Sequence, residues 1–250
     1  TVTPCVACCV RLARLLGRSV LNGGGVINQT PSMQDYTSEQ CASEAAGAAV
    51  ALADKRDGKE YTVRYINGDC WMTQNLALEP GATLTPADSN VSSDYTLPTT
   101  QLGNGGSVSE AQITCSENAD YGCYYNYVAA TAGTIKEGDE SEATSSICPA
   151  GWKLPSSETD TLIPSPSGDY DTDSTYVEAF NPITSGVFNS YQDKFYDVGS
   201  EAIYWRSGVA YDTARLRLAY FTDFNGESGL STYYYEYADY GASVLSVLQK

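Results

Sequence analysis

The sequence predicts an α+β fold of two or so helices, short antiparallel strands and long loops, and three observations carry that prediction. Residues 61–78 alternate through Tyr61, Val63 and Tyr65, turn at Asn67-Gly68 and resume with Cys70-Trp71-Met72, which places a turn dipeptide between two β-prone runs. Residues 36–53 offer Thr37 or Ser38 as an N-cap, Glu39 and Gln40 for a first turn, and an Ala-rich run to Ala53 that favours a helix. Charged residues are 18% of the chain while Tyr, Ser, Thr, Gly and Asn abound, which suits a β- and loop-rich surface better than a helical bundle.

The 250 residues suffice for one large or two small domains with a proper core. The net charge is −17, and the first 34 residues hold Arg11, Arg14 and Arg18 as their only charges, so the remainder carries −20. Such a body disfavours nucleic acid, whose phosphates need clustered Lys and Arg. No apolar run approaches the roughly 18 residues of a membrane span. The absence of histidine excludes a Ser-His-Asp or Cys-His triad and histidine-bearing zinc sites, so the expectation is no catalysis, no metal and no cofactor. Eight cysteines are present, and five are spread through the body without zinc-ribbon spacing. That favours disulfides and an oxidising compartment. Cys115 and Cys123 are close enough to close a short loop, and Cys41 with Cys70 would tie the helix to the hairpin.

In chain order, residues 1–30 form a separate segment. Leu12, Leu15, Leu16 and Val20 fall at helical spacing before Asn22-Gly23-Gly24-Gly25 breaks the pattern. It reads either as the remnant of a targeting or membrane-proximal anchor or as a packing helix. Residues 31–250 form the main domain. After the helix, Asp57-Gly58 turns into the hairpin. Residues 79–104 read as a long loop, 121–128 as an aromatic strand or short helix, and 136–146 as an exposed acidic loop. Trp152 and Leu154 stand between Pro149 and Pro155, and Ser156 or Ser157 caps a helix starting near Glu158. Asp169, Asp171 and Asp173 alternate as a calcium loop begins, but Ser174 stands at its glycine position and Phe180 at its bidentate glutamate, so a solvated loop is the better reading. Strands follow from Ile203-Tyr204-Trp205 and over 214–221, where Arg215 and Arg217 alternate with Leu216 and Leu218. Asn225-Gly226 turns the chain into Tyr233-Tyr234-Tyr235, and the run 242–248 suits a buried final strand.

Three segments together resemble the Fibrobacter succinogenes major paralogous domain. They are Arg56-Asp57-Gly58 running to Cys70-Trp71-Met72-Thr73-Gln74-Asn75-Leu76, then Cys148-Pro149 with Gly151-Trp152 and Leu154-Pro155-Ser156, then Tyr204-Trp205 with Ser207 and Tyr240-Gly241 with Ser243-Val244. The resemblance covers roughly residues 32–250, extends to Met33-Gln34-Asp35 and Cys41 of the candidate-phylum versions, and implies a C-type-lectin-like fold. It also implies a secreted or surface-held ligand-binding module, whose relatives include variable proteins of diversity-generating retroelements, with residues near the C-terminus randomised on a fixed backbone. One departure stands out: the family's Arg-Cys pair after Ser-Val is here Leu245-Ser246, which removes the usual partner of Cys148.

The leading functional expectation is therefore an extracellular or cell-surface adhesion module that binds a protein or glycan on another cell. Between Tyr204 and Tyr240 the chain carries eight of its twenty tyrosines, with Gly, Ser, Asp and Arg around them, the composition of a paratope. The candidate contact residues are Arg206, Tyr211, Asp212, Arg217, Tyr220, Asp223, Asn225, Tyr233, Tyr234, Tyr235, Tyr237 and Asp239. Most of these are of the types that adenine-directed diversification enriches. Trp205-Arg206-Ser207 does not match the Trp-Asn-Asp strand of calcium-dependent lectins. The alternative is a structural subunit of a surface layer or filament. An enzyme of the formylglycine-generating type, which shares the general fold, would need a late cysteine pair, and no cysteine follows Cys148.

Overall fold

The computed structural model describes residues 30–103, 109–135, 142–156, 180–209, 215–224, 227–237 and 239–250, and for residues 209, 215–224 and 227–237 only the backbone is described. The chain enters through a 3-10 turn, Met33–Asp35, capped by Ser32. Helix α1 (Ser38–Ala42) then starts at Thr37 with a reciprocal capping box. Gln40 N–H donates to Thr37 Oγ1 (3.2 Å) and Thr37 N–H donates to Gln40 Oε1 (2.9 Å).

The helix expected to reach Ala53 stops after five residues. Gly47 turns the chain at φ 74, and the second half of the Ala-rich run becomes strand β1 (Ala49–Ala53). It pairs with β2 (Glu60–Ile66) from Ala49↔Arg64 to Ala53↔Glu60. Helix propensity is worth only tenths of a kcal/mol per residue. The strand instead buries Leu52 in the core, and that tertiary gain decides. At the end of β2, Asn67 (φ 48) and Gly68 (φ 89) are both left-handed, as a two-residue type I′ turn requires. Strand β3 (Asp69–Met72) returns with Ile66 opposite Asp69, so the hairpin forms in the expected register.

The loop after the hairpin holds only β4 (Thr83–Leu84) and β5 (Tyr95–Thr96), paired with each other. β6 (Ile113–Cys115) pairs with β7 (Cys123–Tyr125), and α2 (Tyr127–Ala130) follows, so the aromatic stretch is strand first and helix after. β8 (Trp152–Lys153), β9 (Val187–Asn189), β10 (Lys194–Tyr196), β11 (Glu201–Val209), β12 (Arg215–Phe224), β13 (Glu227–Tyr237) and β14 (Val247–Leu248) complete the order. Among the described residues, antiparallel pairing with the short helices α1 and α2 makes this an α+β fold.

The main sheet runs β1-β2-β3-β14-β8, so the last strand is inserted between the hairpin and the Trp152 segment. The expected final strand over 242–248 is shorter than its apolar run. Ala242 and Ser243 make single bridges to Tyr125 and Tyr204, and only Val247 and Leu248 join the sheet. Of the loop expected to be exposed over 136–146, Ser145 and Ser146 are buried. The cap at Ser157, the aspartates at 169, 171 and 173, and residues 1–29 lie outside the described residues.

Two expected disulfides form. Cys41–Cys70 joins α1 to β3, and Cys115–Cys123 crosses the β6–β7 pair. Polar clamps join the rest. Arg56 holds Asp54 through Nε (2.9 Å to each oxygen) and Nη2 (2.5 Å), and its Nη1 donates to the Ile147 carbonyl (2.6 Å). Both side chains are buried. Asn75 Nδ2 donates to Tyr121 O, Ser185 Oγ and Ser243 Oγ at 2.9–3.0 Å. Gly241 sits where a Cβ would displace the tip of Leu102 and lie 3.2 Å from the Cβ atoms of Phe188 and Tyr124, so the packing there is tight.

Candidate functional site

The tyrosine-rich segment is built outward from an anchored strand. In β11, Ala202, Ile203, Tyr204 and Trp205 are all buried. Trp205 Nε1 donates to the Tyr125 carbonyl (2.5 Å), its backbone N–H donates to Ser243 O (3.1 Å), and its ring lies 5.3 Å from that of Tyr127. The edge of β11 away from β12 is bridged by Gly186 and Ser243. The sheet order β11-β12-β13 therefore places β12 and β13 progressively farther from that anchorage.

The register sorts the predicted contact residues. From Arg215↔Tyr237 through Arg217↔Tyr235 to Leu218↔Tyr234 the β12–β13 ladder is unbroken. Directly opposed residues share a side of a sheet. Arg215, Arg217, Tyr235 and Tyr237 thus stand on one side, and Leu216, Leu218, Tyr234 and Glu236 on the other. Between Leu218↔Tyr234 and Tyr220↔Ser231 the register slips by one, so Thr232 and Tyr233 together oppose Ala219 as a bulge on β13. Tyr233 therefore stays on the side of Tyr235 and Tyr237, as alternation predicts, and the slip instead moves Ser231 to the Tyr220 side. Following β12, Asp223 joins the Arg217 side and Tyr220 the Tyr234 side.

Two of the twelve predicted contact residues are interior. Arg206 is 2% exposed and Asp239 1% exposed. Arg206 follows Trp205 into the core, and Asp239 Oδ2 accepts a hydrogen bond from Ser190 Oγ (3.1 Å). Both are buried where the sequence expects exposed contact residues. Tyr211, Asp212 and Asn225 lie outside the described residues.

No family model, curated protein or solved structure matches the chain. Among the described residues no group of three or more His, Cys, Asp or Glu stands where it would hold a metal ion, and no helix is long and apolar enough to cross a membrane. An open depression beside α1 is lined by Ser38, Tyr65, Cys70 and Leu248, and its buried carboxylate, Asp69, is paired with Lys250 at 2.8 Å. That hydrogen bond raises the Lys250 pKa.

One surface escaped the reading of the sequence. Tyr191, Phe195 and Val198 are exposed on and after the β9–β10 hairpin. The signal was there, in Val187-Phe188 and Phe195-Tyr196 on either side of the polar turn Ser190-Tyr191-Gln192-Asp193.

Proposed function

We propose that this chain is a ligand-binding module of the Fibrobacter succinogenes major paralogous type with a C-type-lectin-like fold, working outside the cell, and that the Arg–Tyr side of β12–β13 contacts the ligand. The observation that carries the reading is the contrast within one sheet. β11 is locked into the core by Trp205 and Tyr204, while β12 and β13 set Arg215 and Arg217 opposite Tyr237 and Tyr235. Tyrosine brings large contact area with few torsions to freeze, and arginine pairs with or stacks on what it meets.

The fold assignment draws support from where the three resembling segments meet. Val247 of β14 pairs with Trp71 and Lys153, Arg56 reaches Ile147 beside Cys148, and Asn75 reaches Ser243. Motifs far apart in sequence thus share one core, as a conserved frame would need. Two disulfides agree with an oxidising compartment. The test is a combined glycan and protein array probed with the chain and with its Tyr235→Ser/Tyr237→Ser variant, with and without chelator. The expected result is chelator-independent binding to a small set of targets that the variant loses. Diversification of the sheet is a separate question, tested by a nearby template repeat with adenines at the codons of Tyr235, Tyr237 and Asp223.

A second reading is favoured by one observation. β13 is eleven residues long and lies at the edge of its sheet among the described residues, a length of strand edge that could pair with another chain despite its bulge and its two glutamates. Strand addition there would build a surface layer or filament. Ordered polymers seen by microscopy without ligand would favour it.

A further inference from the structure

Among the described residues, the large apolar side chains left exposed are Tyr191 (58%), Phe195 (41%) and Val198 (45%), and all three fall within eight residues of one another. A single exposed tyrosine is ordinary, whereas one hairpin that exposes an aromatic at its turn, another on its second strand and a valine just past it is a candidate contact surface. The patch is also held in place. Phe195 packs its ring 4.7 Å from Tyr124 and 5.0 Å from Phe188, so its exposed edge rests on a buried base. Tyr191 meets Tyr240 edge-on at 6.0 Å, and Tyr240 Oη accepts a hydrogen bond from Asn189 Nδ2 (2.7 Å). Asn189 Oδ1 in turn accepts from the N–H groups of Tyr191 and Gln192, both at 3.0 Å, which pins the tip of the hairpin. Ser190 Oγ donates to the Asp239 carbonyl at 2.8 Å. A partner meeting this surface finds its aromatic groups already ordered, which removes much of the entropic cost of binding.

The charges around the patch select the partner. Asp193 and Asp197 are exposed on the same hairpin, and the ammonium of Lys194 lies 4.6 Å above the Tyr196 ring. The chain as a whole carries −17. Phosphate-bearing ligands and anionic membranes meet repulsion here, and a neutral glycan would stack on Tyr191 without using the acidic rim. An arginine uses both, since its guanidinium stacks on tyrosine and pairs with carboxylates. Phe195 and Val198 then receive apolar neighbours. We propose that the β9–β10 hairpin, with Tyr240 behind it, is a docking site for a protein partner that presents arginine among apolar residues.

This site stands on side chains outside the β12–β13 sheet and does not depend on the binding assigned to that sheet. The test uses fluorescence anisotropy of short labelled peptides in which Arg, Lys, Gln or Glu alternates with Leu and Ser. The Arg peptide is expected to bind tightest, and to weaken as salt rises. Tyr191→Ala is expected to weaken it on the order of tenfold or more, as loss of a central aromatic anchor does. Asp193 (φ 53) and Asp197 (φ 57) occupy a left-handed region that Asn adopts as readily. Asp193→Asn/Asp197→Asn therefore removes charge without backbone strain, and several-fold weakening at an unchanged melting temperature is expected. Tyr235→Ser/Tyr237→Ser leaves this binding intact, which separates its failure from that of the sheet. Equal binding of Gln or Glu peptides, binding of none, or wild-type affinity in both hairpin variants would overturn the proposal.

Discussion

At the scale of single residues, Cys148 and Ser246 meet at the place where the resemblance to the major paralogous domain implies a disulfide. Both are fully buried, and Ser246 Oγ donates to Cys148 Sγ at 2.6 Å, so a hydrogen bond stands where the resemblance implies a covalent bridge. Ser246→Cys is expected to close a third disulfide, seen as a mass two hydrogens lower and a gain of up to about 4 kcal/mol in denaturant unfolding, given the long loop it closes. A free thiol at both positions in the folded variant would refute this. Burial pushes the Cys148 thiol up to about 11, against an ordinary 9.0, even though hydrogen bonds from Ser146 and Ser246 pull it down. Below pH 9 the thiol is protonated whether the chain is folded or not, and the preference for the fold is intact. Between 9 and 11 the unfolded chain loses the proton first, so stability drains as pH rises through that window. Cys148→Ala should flatten that alkaline loss, measured as unfolding free energy against pH. Buried tyrosines raised by desolvation, Tyr125 and Tyr204 with Tyr61 and Tyr124 among them, contribute to the slope that remains. Arg56→Met leaves Asp54 buried without its partner and should cost about 3–5 kcal/mol.

At the scale of elements, signals carried within a few residues were legible and those decided by distant packing were not. The Asn67-Gly68 hairpin and the Thr37 capping box are local chemistry, and both stand where the sequence places them. β1 is a tertiary outcome. Its alanines favour a helix, yet Val50 and Leu52 already alternate with Ala49 and Ala51 at strand spacing, a short signal that composition outweighed. Ala51 is exposed opposite Thr62, so Ala51→Val should raise stability by a few tenths of a kcal/mol in this strand. In a helix the same change would lower it by a similar amount, so the sign of the shift in denaturation midpoint distinguishes the two. The β13 bulge was illegible because nothing in Ser231-Thr232-Tyr233-Tyr234 announces where a ladder slips. It leaves Tyr233 on the side that Tyr235 and Tyr237 share and moves Ser231 to the other side.

At the scale of the molecule, the proposed binding role divides the chain into a frame and a display. The frame is the sheet in which β14 is clasped between β3 and β8, stapled by Cys41–Cys70 and packed on Trp152 and Trp205. Its parts were readable as separate motifs, while their convergence was not, because contacts such as Asn75 to Ser243 span 168 residues. Burial of Arg206 and Asp239 was equally invisible, since a charged residue reads as surface until the core around it is seen. On this proposal the display is the β12–β13 sheet, while the β9–β10 hairpin is tied separately to Asp239 and Tyr240. Separation of the two roles is the central claim, and one paired measurement tests it: thermal unfolding and array binding of the wild-type chain and of Tyr235→Ser/Tyr237→Ser. The account predicts an unchanged melting temperature with the array signal lost. A variant that unfolds at markedly lower temperature, or that keeps every target at full affinity, would contradict it.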